Sequence, residues 1–169
     1  SQGSSVIKVF DLTAAVTGIN ETNAKKAGLD TDTVILSPMN HAGYYPGGKV
    51  MTIKLVFEKE TYRLLGAQIV GYEGVDKRID VLAVSIHAGL KATQLKDLEL
   101  AYAPPYSSAK DPVNMAGFMV DNISKGRLKQ WHVEEAALLP RDGSAVLLDT
   151  RTAEEFARGH IDGFQNIPV

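Results

Sequence analysis

Four tyrosines lie in two loops rich in glycine and proline and are the side chains best suited to touch a ligand. Tyr44 and Tyr45 fall within residues 38–48, and Tyr102 and Tyr106 fall within residues 101–108. A tyrosine presents a flat apolar ring and one hydroxyl at a low cost in side-chain entropy, which suits contact with a ligand or a partner subunit. The alternative is that these rings only close the edge of the core. On residue chemistry alone that alternative is the commoner one, because loops of this composition are frequent on protein surfaces.

The histidines and the missing cysteines narrow the chemistry further. The four histidines are spread along the chain without metal-ligand spacing, so no metal site is expected. Of the four, His41 lies in the loop 38–48; we call this loop and the loop 101–108 the tyrosine loops. An ordinary hydrogen-bonding role is favoured for His41 over a functional one. With no cysteine, the chain has no disulfide scaffold, no thiolate metal site and no cysteine nucleophile. The composition suits a reducing compartment, and we expect a cytoplasmic protein.

Charge and glycine patterns exclude several kinds of ligand. The 169 residues are 44% hydrophobic and 22% charged with a formal net charge of −2, so the chain is globular and nucleic acid or an anionic membrane is not an expected partner. No Gly-x-Gly-x-x-Gly and no phosphate loop occurs, so no dinucleotide is expected on this chain. The charged run 73–80, which contains Arg78, is interpreted as a solvated, charge-paired first helical turn. A functional alternative is a set of salt bridges across a subunit interface.

Alternation and capping signals predict the elements that hold the two loops. Strands are predicted at residues 6–12 and 33–37, and residues 51–57 and 63–72 form an antiparallel hairpin whose first strand has a wetter face and whose second is central. Helices are predicted at 21–27 after an Asn20 cap, from Val75 to a stop at Gly89, at 93–98, and from Pro112 to about Ser124 after an Asp111 cap. This order predicts an α+β fold, an antiparallel sheet backed by helices.

The composition changes near the end of the last of these helices. Residues 125–130 are interpreted as a linker between a domain at 1–124 and a second segment at 131–169. The second segment is predicted to contain a short helix at 133–139, a buried strand at 145–148 and a helix opened by a Thr152–Glu155 capping box and stopped by Gly159. Residues 161–169 lead toward another strand. Residues 1–5 carry no targeting pattern, and we expect a cloning remnant or a cut inside a longer protein.

Long motifs in the first segment resemble a known family. VIKVF (6–10), Thr17-Gly18, HAGYYPG (41–47), LGAQIVG (65–71), GVDKRIDV (74–81) and LELAYAPPYSSAKDPVN (98–114) occur in order. Over residues 6–122 the chain resembles the C-terminal dimerisation domain of FAD- and NAD(P)-dependent disulfide reductases, within the branch of coenzyme A-disulfide reductases, persulfide reductases and NADH oxidases. The stretch VLLDTRTAEEFARGHIDGFQNIP (146–168) resembles the first half of a rhodanese domain, an incomplete α/β segment.

This resemblance implies a function for a longer protein of which the chain is a non-catalytic portion. It implies a cytoplasmic homodimeric oxidoreductase whose FAD, NAD(P)H and redox cysteine lie in other domains, with a thiol or disulfide such as coenzyme A as substrate. It implies that Tyr44 and Tyr102 face that substrate in the opposite subunit, with Tyr45 and Tyr106 as alternates. No catalytic, cofactor-binding or metal-binding residue is expected here, and the chain alone should be colourless and inert. Two alternatives remain: a free-standing binding module of the same fold, and part of a rhodanese sulfurtransferase.

Overall fold

A computed structural model describes residues 2–169, which form two compact units. The first unit extends to Gln130 and the second comprises Trp131–Val169. Ser1, which belongs to the expected remnant, lies outside the described residues.

A five-stranded antiparallel sheet forms the frame of the first unit. Its spatial order is β1-β2-β5-β4-β3, so β5 is central, as predicted. Its strands are β1 (Ser5–Val9), β2 (Leu12–Gly18), β3 (Thr31–Leu36), β4 (Thr52–Glu58) and β5 (Leu64–Gly71). The β4–β5 hairpin places Ile53 opposite Ile69, and both side chains are fully buried. Thr52 and Lys54 lie on the wetter face of β4, which confirms that part of the hairpin prediction.

Helices pack on this sheet and complete the α+β fold. They are α1 (Glu21–Lys26), α2 (Val75–His87), a 3₁₀ helix (Ala92–Asp97) and α3 (Pro112–Ser124). Helix α2 lies against β2 and β5, and α3 lies against β3, β4 and the 3₁₀ helix. The caps form as predicted, because Asn20 Oδ1 accepts from Asn23 N and Asp111 Oδ1 accepts from Val113 N, at 2.8 and 2.9 Å. The predicted fold class is therefore confirmed.

The core lies between the sheet and its helices. Most of its fully buried members come from β3, β4, β5, α2, the Ala92–Asp97 helix and α3, and they include Val34, Leu55, Ile69, Leu82, Leu95 and Val120. Close backbone approach is needed where β2 meets β5. A Cβ on Gly66 would lie 1.9 Å from Ile19 O, so only glycine fits there without moving the backbone.

The predicted single strand at residues 6–12 is wrong. The structure has a two-residue hairpin there, in which Val9 pairs with Leu12 and the chain turns at Phe10 and Asp11. Phe10 has a φ of 53° and is almost fully exposed. Such turns normally carry glycine or asparagine at a left-handed position, and the continuous apolar-polar alternation concealed this one. The second strand of the hairpin, β2, is a further element that the sequence did not predict.

The second unit contains short elements only. A 3₁₀ helix (Val133–Leu138), β6 (Leu148–Asp149), α4 (Ala153–Arg158) and β7 (Gln165–Asn166) follow one another, and β6 pairs in parallel with β7. The predicted capping box at α4 is confirmed, since Thr152 Oγ1 accepts from Glu155 N and Glu155 Oε2 accepts from Thr152 N. The predicted buried strand at 145–148 is wrong. Val146 lies outside β6 and is 73% exposed, because within the described residues β6 has a single two-residue strand partner.

Candidate functional site

The hydroxyl groups of Tyr44 and Tyr102 meet in a direct hydrogen bond. Their oxygens are 2.7 Å apart, although the residues are 58 positions apart in the chain. Both side chains remain open to solvent, Tyr44 at 77% and Tyr102 at 47%. The hydrogen bond with Tyr44 raises the pKa of Tyr102, because the neutral phenol takes part in a bond that ionisation would disturb. The structure thus brings together the two tyrosines that the sequence analysis put first.

The two alternate tyrosines occupy different surroundings. The ring of Tyr45 packs edge-on against the imidazole of His41, with ring centroids 5.6 Å apart and an interplanar angle of 83°. Tyr106 is 71% exposed, and its backbone carbonyl rather than its side chain points to the centre of the loops. Neither hydroxyl takes the place of Tyr44 or Tyr102 in the pair, which we call the tyrosine pair.

His41 is a buried structural histidine. Its side chain is 4% exposed, and Nδ1 donates to the carbonyl of Ala42 at 3.1 Å. A Cβ on Gly48 would lie 3.3 Å from the ring, so the imidazole fills its space tightly. This surrounding agrees with the hydrogen-bonding role favoured for His41 from the sequence.

Backbone hydrogen bonds close each tyrosine loop and join the two loops together. Asn40 N donates to Lys49 O at 2.8 Å, and Lys49 N donates to Asn40 Oδ1 at the same distance, which closes the first loop. In the second loop Tyr106 N donates to Ala103 O at 2.9 Å. The two loops are joined where Ala42 N donates to Ser107 O at 3.0 Å.

A buried arginine of α2, Arg78, contacts the backbone of both loops. Arg78 is 1% exposed, which contradicts the interpretation of residues 73–80 as a solvated turn. Its Nη2 donates to Asn40 O at 2.9 Å and to Tyr106 O at 3.1 Å, and its Nη1 donates to Gly74 O at 3.1 Å. The first turn of α2 is therefore not wholly a solvated face, because one of its cations is directed into the protein.

Asp111 is the counter-ion of Arg78 and also caps α3. Arg78 Nη2 donates to Asp111 Oδ2 at 2.9 Å, and Ser107 Oγ donates to the same oxygen at 2.7 Å. Burial on its own raises the pKa of Asp111, but the hydrogen bonds from Arg78, Val113 N and Ser107 outweigh burial and hold the pKa below its usual value. Asp111 is thus a carboxylate that is ionised, buried and satisfied by its donors.

The burial of Arg78 differs from the prediction of a solvated turn at residues 73–80, although a signal for burial is present in the sequence. Val75, Arg78 and Leu82 follow one another at spacings of three and four residues, so they lie on one face of α2. Asp111 was identified as a helix cap, but its second role required a partner 33 residues away.

Helix α3 offers no free terminus for a dinucleotide. Its amide end is occupied by the carboxylate of Asp111, whose Oδ1 accepts from Val113 N. An ionised carboxylate at that position does not fit the pyrophosphate of FAD or of a nicotinamide dinucleotide. Within residues 2–169 there is no group of three or more His, Cys, Asp or Glu side chains that could hold a metal ion. In the same range no helix is long and apolar enough to span a membrane.

Comparison with known proteins agrees with this architecture. The family described as "Pyridine nucleotide-disulphide oxidoreductase, dimerisation domain" matches residues 4–113. A coenzyme A disulfide reductase of Staphylococcus epidermidis is 40% identical over 116 residues, which are 69% of this chain and 26% of that protein. The chain thus spans about a quarter of the length of the curated relatives it matches.

Two solved structures resemble nearly the whole chain. The crystal structure of the reduced Bacillus anthracis CoADR-RHD is 46% identical, with a TM-score of 0.92 over 99% of this chain and 30% of that one. A NAD-dependent persulfide reductase from A. fulgidus is 43% identical, with a TM-score of 0.86 over 98% of this chain and 29% of that one. The family match covers more than half of the sequence, and the chain belongs to the dimerisation-domain family of the pyridine nucleotide-disulphide oxidoreductases.

Proposed function

We propose that the chain is the homodimerisation portion of a flavin-dependent disulfide or persulfide reductase, and that its tyrosine pair forms one wall of the thiol-substrate site of the opposite subunit. The single observation that carries the site assignment is the 2.7 Å hydrogen bond between the exposed hydroxyls of Tyr44 and Tyr102. Two rings joined in this way form a polar edge on an otherwise flat apolar surface. A disulfide or thiol such as coenzyme A suits that surface, in keeping with the names of the relatives.

The redox chemistry belongs, in this proposal, to other segments of a longer protein. FAD and NAD(P)H supply electrons when bound there, and in this chain the amide end of α3 is already occupied by Asp111. This chain contributes the two-fold interface and the hydroxyl groups. We therefore assign no catalytic and no cofactor-binding residue within it, and expect it to be inert alone.

Hydrogen-bond chemistry gives the tyrosine pair a specific role. Of the two hydroxyls, one donates to the other, and the accepting hydroxyl keeps its own proton for a donation outward. Accepting a hydrogen bond polarises that hydroxyl and strengthens its donation. In the proposal this proton is donated to the sulfur of a departing thiolate, so the bond is strongest when negative charge develops.

The test is steady-state kinetics of the full-length enzyme with a coenzyme A disulfide. Tyr44→Phe and Tyr102→Phe each keep the ring and remove one hydroxyl. A charge-assisted hydrogen bond contributes about 1.5–3 kcal/mol, so we expect kcat to fall roughly ten- to a hundredfold in each. The double variant should lose little more than either single one, because the two hydroxyls act as a unit. Tyr72→Phe, outside both loops, is the control that should retain full turnover. Unchanged kinetics in all three loop variants would return the pair to a role at the edge of the core.

We further propose the domain limits 1–124, 125–130 and 131–169, with the last segment as the start of a rhodanese-like domain. The separate compact unit Trp131–Val169 supports the last limit. Asp149 and Arg151, which belong to the motif that resembles rhodanese, form an ion pair with Nη2 and Oδ2 2.6 Å apart. A cytoplasmic location is part of the same proposal. Sulfurtransferase assays with and without residues 131–169 of the full-length protein would test the assignment.

A further inference from the structure

We propose that Arg78, held in place by Asp111, is the positioning residue of the tyrosine pair: its guanidinium joins the backbones of the two loops and so sets the contact between the Tyr44 and Tyr102 hydroxyls. The importance of this contact for turnover rests on the proposed function. The contact itself is a property of this chain and can be measured on it.

One nitrogen of Arg78 serves both loops. Nη2 donates to Asn40 O at 2.9 Å, four residues before Tyr44, and to Tyr106 O at 3.1 Å, four residues after Tyr102. The two carbonyl groups are thereby held within the reach of a single atom. Displacing that atom would remove one hydrogen bond from each loop at once.

The guanidinium is itself fixed on its remaining sides. Nη1 donates to Gly74 O at the start of α2, and Nε and Nη2 donate to the carboxylate of Asp111 at the start of α3. In the described residues no buried side-chain nitrogen or oxygen lacks a hydrogen-bond partner. Arg78 thus connects two helices of the frame to two loops that contain no long element of their own.

The geometry requires arginine rather than any cation. A guanidinium has five N–H donors in a planar fork, whereas the ammonium of lysine has its donors on one atom. The acceptors around Arg78 lie on Gly74, Asn40, Tyr106 and Asp111, and they are reached through three different nitrogens. A lysine at position 78 would keep the positive charge but could not reach all of these acceptors from its single nitrogen. Arg78→Lys therefore tests the positioning role apart from the effect of the charge.

A small displacement of either loop is enough to matter. The tyrosine oxygens are 2.7 Å apart, near the optimum for an O–H···O hydrogen bond, and such a bond is lost beyond about 3.5 Å. A backbone hydrogen bond from Ala42 N to Ser107 O also joins the loops. Arg78 adds a connection on the side of α2, through the carbonyls of Asn40 and Tyr106.

The experiment follows the ionisation of Tyr102 in this chain by NMR with tyrosine labelled at Cζ. In the wild-type chain Tyr44→Phe should lower the pKa of Tyr102, since it removes the hydrogen bond that raises it. In the Arg78→Lys background, the same Tyr44→Phe change should shift the pKa by less than half as much. Leu82→Ala, which truncates a fully buried core side chain of the same helix, is the control. It should lower the melting temperature and leave the full Tyr44→Phe shift in place.

Two results would overturn the proposal. One is a change in the pKa of Tyr102, caused by Tyr44→Phe, that keeps half or more of its wild-type size in folded Arg78→Lys. The other is a pKa of Tyr102 that does not respond to Tyr44→Phe in the wild-type chain. If Arg78→Lys does not fold, Asp111→Asn decides, because asparagine keeps the helix cap but holds the guanidinium less firmly. A full-sized shift in that variant overturns the proposal, and a reduced shift supports it. If the NMR result holds while the tyrosine variants of the full-length enzyme turn over normally, the proposed function fails and the positioning role stands.

Discussion

Gly117 allows a discriminating test of how α3 packs, because two effects of known size oppose each other there. Glycine within a helix costs about 1 kcal/mol relative to alanine, so Gly117→Ala would stabilise an isolated α3 by that amount. In the folded chain an added Cβ would lie 2.3 Å from Lys96 N and 2.8 Å from Leu95 C. Both atoms belong to the backbone of the 3₁₀ helix Ala92–Asp97, which cannot move aside as a flexible side chain could.

The packing effect should outweigh the propensity effect. Overfilling a well-packed site costs roughly 1–3 kcal/mol, and more where backbone must shift. Displacing the 3₁₀ helix also strains the hydrogen bonds from Asn114 Nδ2 to Leu95 O and Leu98 O, at 3.0 and 2.9 Å. The backbone displacement places the overpacking cost at the upper end of that range, about 3 kcal/mol. After subtracting the propensity gain of about 1 kcal/mol, we expect Gly117→Ala to lower the free energy of unfolding by about 2 kcal/mol, or the melting temperature by roughly 4–8 °C.

Urea denaturation followed by far-UV circular dichroism measures this difference. The matched control is Gly43→Ala, where no atom lies within 4 Å of the added Cβ and φ is not in the left-handed region. That change should be neutral or slightly stabilising. If Gly117→Ala were as stable as the wild type, the close approach of α3 to the 3₁₀ helix, and the reasoning from it, would be refuted.

Four further expectations follow from other features of the chain. Asp111→Ala leaves the guanidinium of Arg78 buried without its counter-ion and should cost about 3–5 kcal/mol in urea denaturation, whereas Asp111→Asn should cost less. Hydrogen bonds from Lys25 and Lys54 lower the pKa of Glu21 from 4.5 to about 2. The stabilisation by ionised Glu21 is therefore complete above the unfolded pKa and disappears as the pH falls from about 4.5 to 2. In an acid titration, Lys54→Met should lose less stability than the wild type over that pH range. Light scattering at tens of micromolar should show a dimer, and only monomer would count against the proposed interface. Amides of Trp131–Val169 should exchange faster than those of β4 and β5, and equal protection in a monomer would contradict this.

The parts of the fold that the sequence predicted are those with local signals. The β4–β5 hairpin alternates with period two, and α3 begins with an aspartate followed by proline. In both cases neighbouring residues are sufficient to define the element, and the structure has β4, β5 and α3 close to the predicted bounds. The hairpin turn at Phe10 gave no such signal, because a phenylalanine at φ 53° contradicts the usual preference for glycine or asparagine.

The candidate site was only half accessible to sequence reasoning. Gly- and Pro-rich loops pointed to four tyrosines, and the family resemblance selected Tyr44 and Tyr102 among them. Nothing local could give the distance between hydroxyls 58 positions apart. The buried state of Arg78 was hidden for a related reason. A charge in a first helical turn is usually solvated, and it becomes buried only when a distant partner such as Asp111 neutralises it.

The buried pair of Arg78 and Asp111 is better explained by the hydrogen bonds that Arg78 makes to the two loops than by a contribution to stability. Well-packed apolar residues often replace a buried ion pair without loss of stability, because desolvation offsets most of the attraction. An apolar side chain at position 78, however, could donate to neither Asn40 O nor Tyr106 O, and both carbonyls would lose a donor in a nearly dry site. The frame would remain, but the two loops would no longer share a fixed point. The charge is thus located where α2, α3 and both tyrosine loops converge, and its hydrogen bonds convert a stable sheet-and-helix frame into a defined arrangement of two hydroxyl groups.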